Sequence, residues 1–240
     1  MDFDKEKYDV RRIPFSEAKE WVMYKHYLHR IPSICYAFGL YGPIDQDGTI
    51  SLVGVCTFGI PPSPSLVEAS VGEKYRDTFI ELNRLCVNEG LPRNALSFFV
   101  SHCLQMLPRP MVVISYADSG MGHHGYIYQA TNWIYTGMSS KSTEYSVEGM
   151  EEKHSRHLRD RVKTEVGETI YDALVKMYGS DRVIRKEGSR KYRYFQFLGD
   201  KRQVRQMKKD LKFPIIPEYP KGENDRYDAS YETSPNGVLF

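Results

Sequence analysis

Alternation of apolar and polar positions divides this chain into segments of strand and helix length, most regularly between residues 79 and 137. There the pattern predicts, in order, a strand, a polar turn, a helix, a second strand, another helix and a short strand. Their ranges are 79–87, 88–94, 95–106, 111–116, 126–132 and 133–136. Two strands that each lead through a polar turn into a helix predict an α/β domain whose functional loops follow the strand C-termini.

The remaining pattern adds strands upstream and helices downstream. Further strands are predicted at residues 8–13, 33–41 and 50–59, a basic strand or hairpin at 182–198, and helices at 16–27, 154–164, 169–178 and 201–211. Residues from 213 onward are rich in Pro, Tyr and Gly, and are predicted to form an extended tail. The chain therefore divides into a core (1–150), a basic extension packed on it (151–212) and a tail (213–240).

Composition excludes several classes of protein. At 240 residues with 41% hydrophobic content, the chain can bury a substantial core. No apolar run approaches the roughly 20 residues that span a bilayer, and the acidic N-terminus does not resemble a signal peptide. The four cysteines form no CxxC pair, which argues against a zinc knuckle or a disulfide framework. We expect a cytoplasmic protein without a membrane partner.

Charge is distributed unevenly along the chain. Residues 151–212 contain 18 Lys/Arg and 10 Asp/Glu, although the whole chain has a formal net charge of only +2. Basic side chains interleaved with aromatic ones favour contact with nucleic acid, because cations neutralise phosphates and rings stack on bases. The candidates are Arg185, Lys186, Arg190, Lys191, Tyr192, Arg193 and Tyr194. The alternative is a solvated helix face beside a strand whose aromatic side chains point inward, and for the helix at 201–211 alone we favour that alternative.

Five motifs in order carry a family resemblance. The segments ELNRLCV, PRNALSFF, SYAD, GHHG and YQATNWIYTG together resemble the phage Mu Mom family, GNAT-like proteins that modify adenine in DNA. The resemblance extends from KHYLHR to YPKG, which is most of the chain. It implies a GNAT-like fold of the α/β (α+β) class, with a mixed central sheet flanked by helices and a basic C-terminal extension.

The resemblance places a donor site at the turn between the first strand and helix of the central segment. The residues it implies are Arg84, Asn88, Gly90, Arg93, Asn94 and Asn132. In GNAT enzymes this turn has the sequence pattern R/Q-x-x-G-x-G/A. In this chain the turn has one glycine, a carboxylate and a proline, which has no N–H to donate. Because of this departure, we expect an acyl donor but leave open whether it is acetyl-CoA or a glycyl donor.

Five residues are candidates for catalysis. Asp118 follows an apolar strand, Tyr128 starts the closing helix, and His123 lies in the GHHG loop. The resemblance also implies a functional histidine near the first helix and leaves open a dependence on iron. His26 and His29 are three residues apart, a spacing that places both on one helical face, and together with Asp118 they form a candidate Fe(II) site. The alternatives are that Asp118 caps a turn, that Tyr128 packs in the core and that the two histidines are helix C-terminal cations.

The function that the resemblance implies is conversion of the adenine N6-amine in DNA to N6-carbamoylmethyl-adenine. This modification shields phage DNA from restriction inside a phage-infected or prophage-carrying bacterium. The partner would be double-stranded DNA with the adenine flipped out of the stack. The alternatives are an acetyl-CoA-dependent N-acyltransferase acting on a small molecule or protein, and a non-catalytic DNA-binding module. The sequence leaves the oligomeric state open, a dimer included.

Overall fold

A seven-stranded mixed sheet forms the centre of the protein. The computed structural model describes residues 3–26, 29–43, 48–150 and 155–222. The strands of this sheet are β1 (Asp9–Arg12), β2 (Tyr36–Tyr41), β3 (Leu52–Gly59), β4 (Phe79–Val87), β5 (Met111–Asp118), β6 (Ile134–Met138) and β9 (Lys191–Leu198). Their spatial order is β1-β2-β3-β4-β5-β9-β6. The predicted mixed sheet flanked by helices is confirmed.

The described residues form seven α-helices, most of which pack on the two faces of this sheet. They are α1 (Phe15–Lys25), α2 (Ser65–Ser70), α3 (Ala95–Met106), α4 (Tyr126–Ala130), α5 (Ser155–Arg161), α6 (Ile170–Tyr178) and α7 (Lys201–Asp210). We call the side on which α3 and α4 pack the α3 face; Phe38, Phe58 and Phe99 are buried there. The opposite side, on which α1, α2 and α7 pack, is the α1 face. None of the helices in the described ranges is long and apolar enough to cross a membrane.

The sheet splits between its two central strands. β4 and β5 are parallel but pair over only three positions, Phe79–Glu81 with residues 112–114. All other neighbouring strands in the sheet are antiparallel. Beyond Glu81 the two strands have no shared ladder, so a cleft opens between their C-terminal halves.

A small satellite unit is inserted between β6 and β9. Its strands β7 (Thr143–Val147) and β8 (Val183–Glu187) form a separate antiparallel pair. Together with α5 and α6 they enclose a cluster of their own, which contains Tyr145, Leu158 and Leu174. Thr169 caps α6 through a reciprocal capping box with Asp172.

The predicted division at residue 150 differs from the sheet topology. β9 lies inside the main sheet, where it pairs with β5 over eight positions and with β6 on its other side. The physical reason is that β9 buries side chains on both faces of the sheet, Tyr194 in the cluster of the α3 face and Phe195 and Phe197 in that of the α1 face. The extension therefore contributes an interior strand of the main sheet as well as the satellite unit and α7.

Several predicted boundaries also shift. α1 ends at Lys25 and not at the predicted residue 27, and α4 ends at Ala130 and not at the predicted residue 132. Part of the predicted tail is ordered along the sheet: Ile216 N donates to Tyr135 O, and Tyr219 Oη donates to Trp133 O. The rest of the tail, residues 223–240, and the predicted helix start at 154 lie outside the described residues, as does most of the predicted turn at 45–48.

Candidate functional site

The cleft between β4 and β5 brings most of the predicted site residues together. It has a volume of about 1110 Å³, slightly more than the roughly 300–1,000 Å³ typical of small-molecule sites. The predicted residues that line it are His26, Arg84, Asn88, Gly90, Arg93, Asn94, Asp118, His123, Tyr128 and Lys191. His29 and Asn132 are not among the lining residues.

A β-bulge shapes one wall of this cleft. Thr57 pairs with Arg84 and Phe58 pairs with Leu82, so Asn83 is the extra residue in β4. Strict alternation would turn only one of two successive side chains toward the cleft. The bulge breaks that alternation, and both Asn83 and Arg84 line the cleft.

Both side chains fix the segment that follows α1. Asn83 accepts from Thr57 Oγ1 at 2.7 Å and donates to Ser33 O at 2.7 Å. Arg84 donates to Arg30 O at 3.1 Å. The segment from residue 30 to 33 is therefore held against β4.

His26 is a neutral imidazole in the cleft wall. Its side chain is 6% exposed. Burial, followed by the charge of Arg84 and the neighbouring His29 and His123, lowers the pKa of His26 to about 2. At neutral pH this ring can therefore take part in hydrogen bonding without carrying charge.

The predicted shared helical face of His26 and His29 is wrong. α1 ends at Lys25, and His26 already has extended backbone angles. His29 has φ 43° and is exposed, with its Nδ1 donating to Met23 O at 2.8 Å. The two side chains are consequently not arranged by one helix.

The predicted metal set of His26, His29 and Asp118 is not assembled. Among the residues that the structure describes, no group of three or more His, Cys, Asp or Glu side chains is placed to hold a metal ion. The residues present therefore do not fit Fe(II), and no step of the chemistry below passes through a metal.

Asp118 is an anchored carboxylate at the C-terminal end of β5. It accepts hydrogen bonds from Gly120 N at 2.9 Å and from Ser189 Oγ, and Lys191 Nζ lies 3.3 Å from its second oxygen. Partial burial acts to raise the pKa of Asp118, but Ser189, Lys191 and the Gly120 N–H together hold it below its usual range. The capping role is present, and a catalytic role for this ionised group stays a prediction.

Tyr128 is held by a short hydroxyl chain. Ser115 Oγ lies 2.8 Å from Leu82 O and 2.7 Å from Tyr128 Oη. A serine hydroxyl has one proton, and a carbonyl can only accept. When Ser115 donates to Leu82, Tyr128 donates to Ser115. The tyrosine is 8% exposed and packs on Trp133 and Tyr194, yet it borders the cleft.

The turn after β4 opens onto the N-terminus of α3. Gly90 and Asn94 both adopt positive φ, at 77°, and Asn94 O accepts from Phe98 N. Because the first N–H groups of a helix have no partner within the helix, this end of α3 favours an anion. Together with Arg93 the turn fits a phosphate-bearing donor, although Pro92 supplies no N–H.

Two residues that we did not predict also line the cleft. Glu81 and Tyr116 lie on the α1 face, on the two strands where they part. Burial, with the charge of Glu81, raises the pKa of Tyr116 to about 12. The only signal for Glu81 in the sequence is its place at the start of the ELNR motif, and nothing marks Tyr116.

The predicted nucleic-acid residues are not arranged as one exposed face. Tyr194 is fully buried and donates to His124 O, so the prediction that it stacks on a base is wrong. Arg193 donates to Thr136 and lies 3.4 Å over the Phe213 ring. Tyr192 packs near His124, and Lys191 is paired with Asp118. Only Arg185, Lys186 and Arg190 are exposed.

Comparison with known proteins adds the family. The model of the Mom protein family matches residues 7–221. The methylcarbamoylase Mom of Escherichia phage Mu is 29% identical over 209 residues, which are 85% of this chain and 80% of that protein.

Two solved acetyltransferase structures are similar in arrangement. Arabidopsis thaliana NAA60, in complex with acetyl-CoA, is 9% identical with a TM-score of 0.46, covering 80% of this chain and 98% of that one. A putative phosphinothricin N-acetyltransferase is 8% identical with a TM-score of 0.41, covering 80% of this chain and 99% of that one.

Proposed function

We propose, from the fact that the chain belongs to the Mom protein family, that it is a transferase that modifies adenine in DNA. The product would be N6-carbamoylmethyl-adenine, and the modification would shield phage DNA from restriction enzymes of the host. The observation that carries this proposal is the cleft, because SYAD, GHHG and the start of YQATNWIYTG meet in it. The phage Mu relative, named a methylcarbamoylase, supports the type of group transferred.

The two faces of the split sheet suit two substrates. On the α3 face, Arg93, Asn94 and the N-terminus of α3 would hold an anionic acyl donor. On the α1 face, His26, Glu81 and Tyr116 border the opening through which a base would enter. The adenine must leave the duplex stack to reach this depth.

The side chains suggest a division of roles. The neutral His26 ring would accept a hydrogen bond from the exocyclic amine and orient it. Tyr128 would donate its proton to the group that leaves the donor, and the Ser115 hydroxyl would turn from Leu82 O to donate to Tyr128 Oη. Asp118 would stay ionised and hold the GHHG loop through Gly120. Attack of the amine on the carbonyl carbon of a glycyl donor would begin the reaction by acyl transfer. An isomerisation would follow, in which the N6–C(=O) and CH2–NH2 bonds break and the N6–CH2 and C(=O)–NH2 bonds form, to give the N–CH2–CONH2 product.

Nucleoside mass spectrometry tests this proposal. DNA from bacteria that express the chain should contain a deoxyadenosine heavier by one carbamoylmethyl group. Tyr128→Phe and Asp118→Asn, expressed to equal level, should lower that fraction by about 100-fold or more if they serve proton transfer and loop placement. Unmodified nucleosides with the wild-type chain would overturn the proposal and favour acyl transfer to a small molecule or protein.

A further inference from the structure

Helix α7 has a row of five exposed cations, which are Lys201, Arg202, Arg205, Lys208 and Lys209. At about 100° per residue they fall within an arc of roughly 120° on the helix. Met207 is buried on the other side of the helix, in the cluster of the α1 face that contains Ile114 and Phe195. The helix is therefore held by its apolar side and presents its basic side to solvent.

The charges in this row are not balanced within the protein. Among the described residues, no carboxylate lies within ion-pair distance of any of the five. The acidic residue at the end of the helix, Asp210, is engaged by Lys74 and Tyr75. Lys212, just after the helix, donates to Glu68 O and anchors the chain there.

Arg205 is the centre of the repulsion. It lies three or four residues from each of the other four cations, and like charges at these spacings destabilise a helix. The capping box of Asp200 and Gln203 keeps the helix formed. A row of cations that costs stability and contacts no carboxylate of the described protein is suited to an external polyanion.

The row lies on the same side of the sheet as the proposed entrance for the base. Tyr116, which lines the cleft, packs in the cluster that also receives Val204 and Met207 of α7. Glu81 lies two positions from Phe79 along β4, and Phe79 belongs to this cluster. A duplex laid over the α1 face would therefore contact α7 while a base enters the cleft.

The row of cations is long enough to contact several phosphates of duplex DNA. Residues 201–209 span about 12 Å of helix. Duplex DNA has one phosphate for roughly every 1.7 Å of its axis, so about seven phosphates fall within this length. We propose that α7 binds the phosphate backbone of the duplex whose adenine enters the cleft. This inference rests on the proposed function, because it takes DNA as the substrate.

Salt-dependent binding to a 30-base-pair duplex tests the surface. Removal of each cation that neutralises a phosphate should reduce the slope of log K against log salt by about 0.9. The triple variant Arg205→Gln, Lys208→Gln and Lys209→Gln should therefore have a slope that is smaller by about 2.7 than that of the wild type. Since phosphate contacts do not report base identity, affinity should fall equally for duplexes of different sequence.

A matched control removes the same charge elsewhere. Lys5→Gln, Arg109→Gln and Lys163→Gln replace three exposed cations outside α7, and this variant should keep the wild-type slope. Equal slopes for the α7 variant and the wild type would overturn the inference, as would equal reductions of slope in the two variants. Failure of the wild type to bind the duplex with a salt-dependent affinity would also overturn it.

Nucleoside analysis of the same chains separates the two proposals. If the wild type modifies adenine and the α7 variant binds DNA with an unchanged slope, the DNA surface lies elsewhere and the proposed function stands. If the α7 variant has a reduced slope while the wild type leaves every nucleoside unmodified, the surface stands and the proposed function fails. If both stand, modification by the α7 variant should fall in cells while the control variant retains it.

Discussion

Acid should destabilise the protein through His26. Burial, with Arg84, His29 and His123, lowers the pKa of this imidazole to about 2 in the folded chain, whereas an unfolded histidine has a pKa of about 6.5. Between these values the unfolded chain binds a proton that the folded chain does not, so stability falls as the pH decreases. One pKa unit corresponds to about 1.4 kcal/mol, and a decrease from pH 7.5 to 5.5 should remove about that much free energy of unfolding.

Urea unfolding followed by tryptophan fluorescence measures this effect. His26→Gln removes the titrating ring, so its free energy of unfolding should decrease by about 1.4 kcal/mol less than that of the wild type between pH 7.5 and 5.5. From pH 7.5 to 8.5 the difference between the chains should be constant, because the imidazole is neutral in both states. An equal decrease with acid in the two chains would show that His26 is charged or exposed in the folded protein, which refutes the reasoning.

Two further predictions concern stability. Gly125 and Gly90 have nearly the same φ, 79° and 77°. A Cβ added at Gly125 would overlap the Tyr194 ring, whereas a Cβ added at Gly90 would meet no atom within 4 Å. In urea unfolding, Gly90→Ala should lower the free energy of unfolding by about 1–2 kcal/mol, and Gly125→Ala should lower it by about 1–3 kcal/mol more. Equal losses in the two variants would contradict the close packing at Gly125. Arg205→Gln should raise the free energy of unfolding by about 1 kcal/mol, because it removes four like-charge pairs at little cost in helix propensity; a decrease instead would reveal a stabilising contact of Arg205.

The centre of the fold was predictable because its signals are local. The bounds predicted for β4 and α3 agree with those observed, Phe79–Val87 and Ala95–Met106. β9 was predicted only as part of a basic strand or hairpin. Its place between β5 and β6 follows from long-range pairing, which periodicity along a single segment does not encode.

The site was predictable as a set of residues but not as a geometry. Asp118, His123 and Tyr128 do meet in one cleft. The bulge at Asn83 is a property of two paired strands, and β4 alone gives no sign of it. The separation of His26 from His29 depends on where α1 ends, and helix ends are the least certain feature of a sequence-based prediction.

The basic excess of the C-terminal region is concentrated in a helix for which the sequence favoured a solvated face. The window 151–212 has eight more basic than acidic residues, but residues 201–212 alone contain six Lys/Arg and one Asp. Most of the excess therefore belongs to α7 and its end. The exposed cations of β8, Arg185 and Lys186, lie instead on the satellite pair of strands. α7 packs on the α1 face, which His26 also borders. A single duplex can therefore contact the cations of α7 and insert a base into the cleft only if it crosses the α1 face.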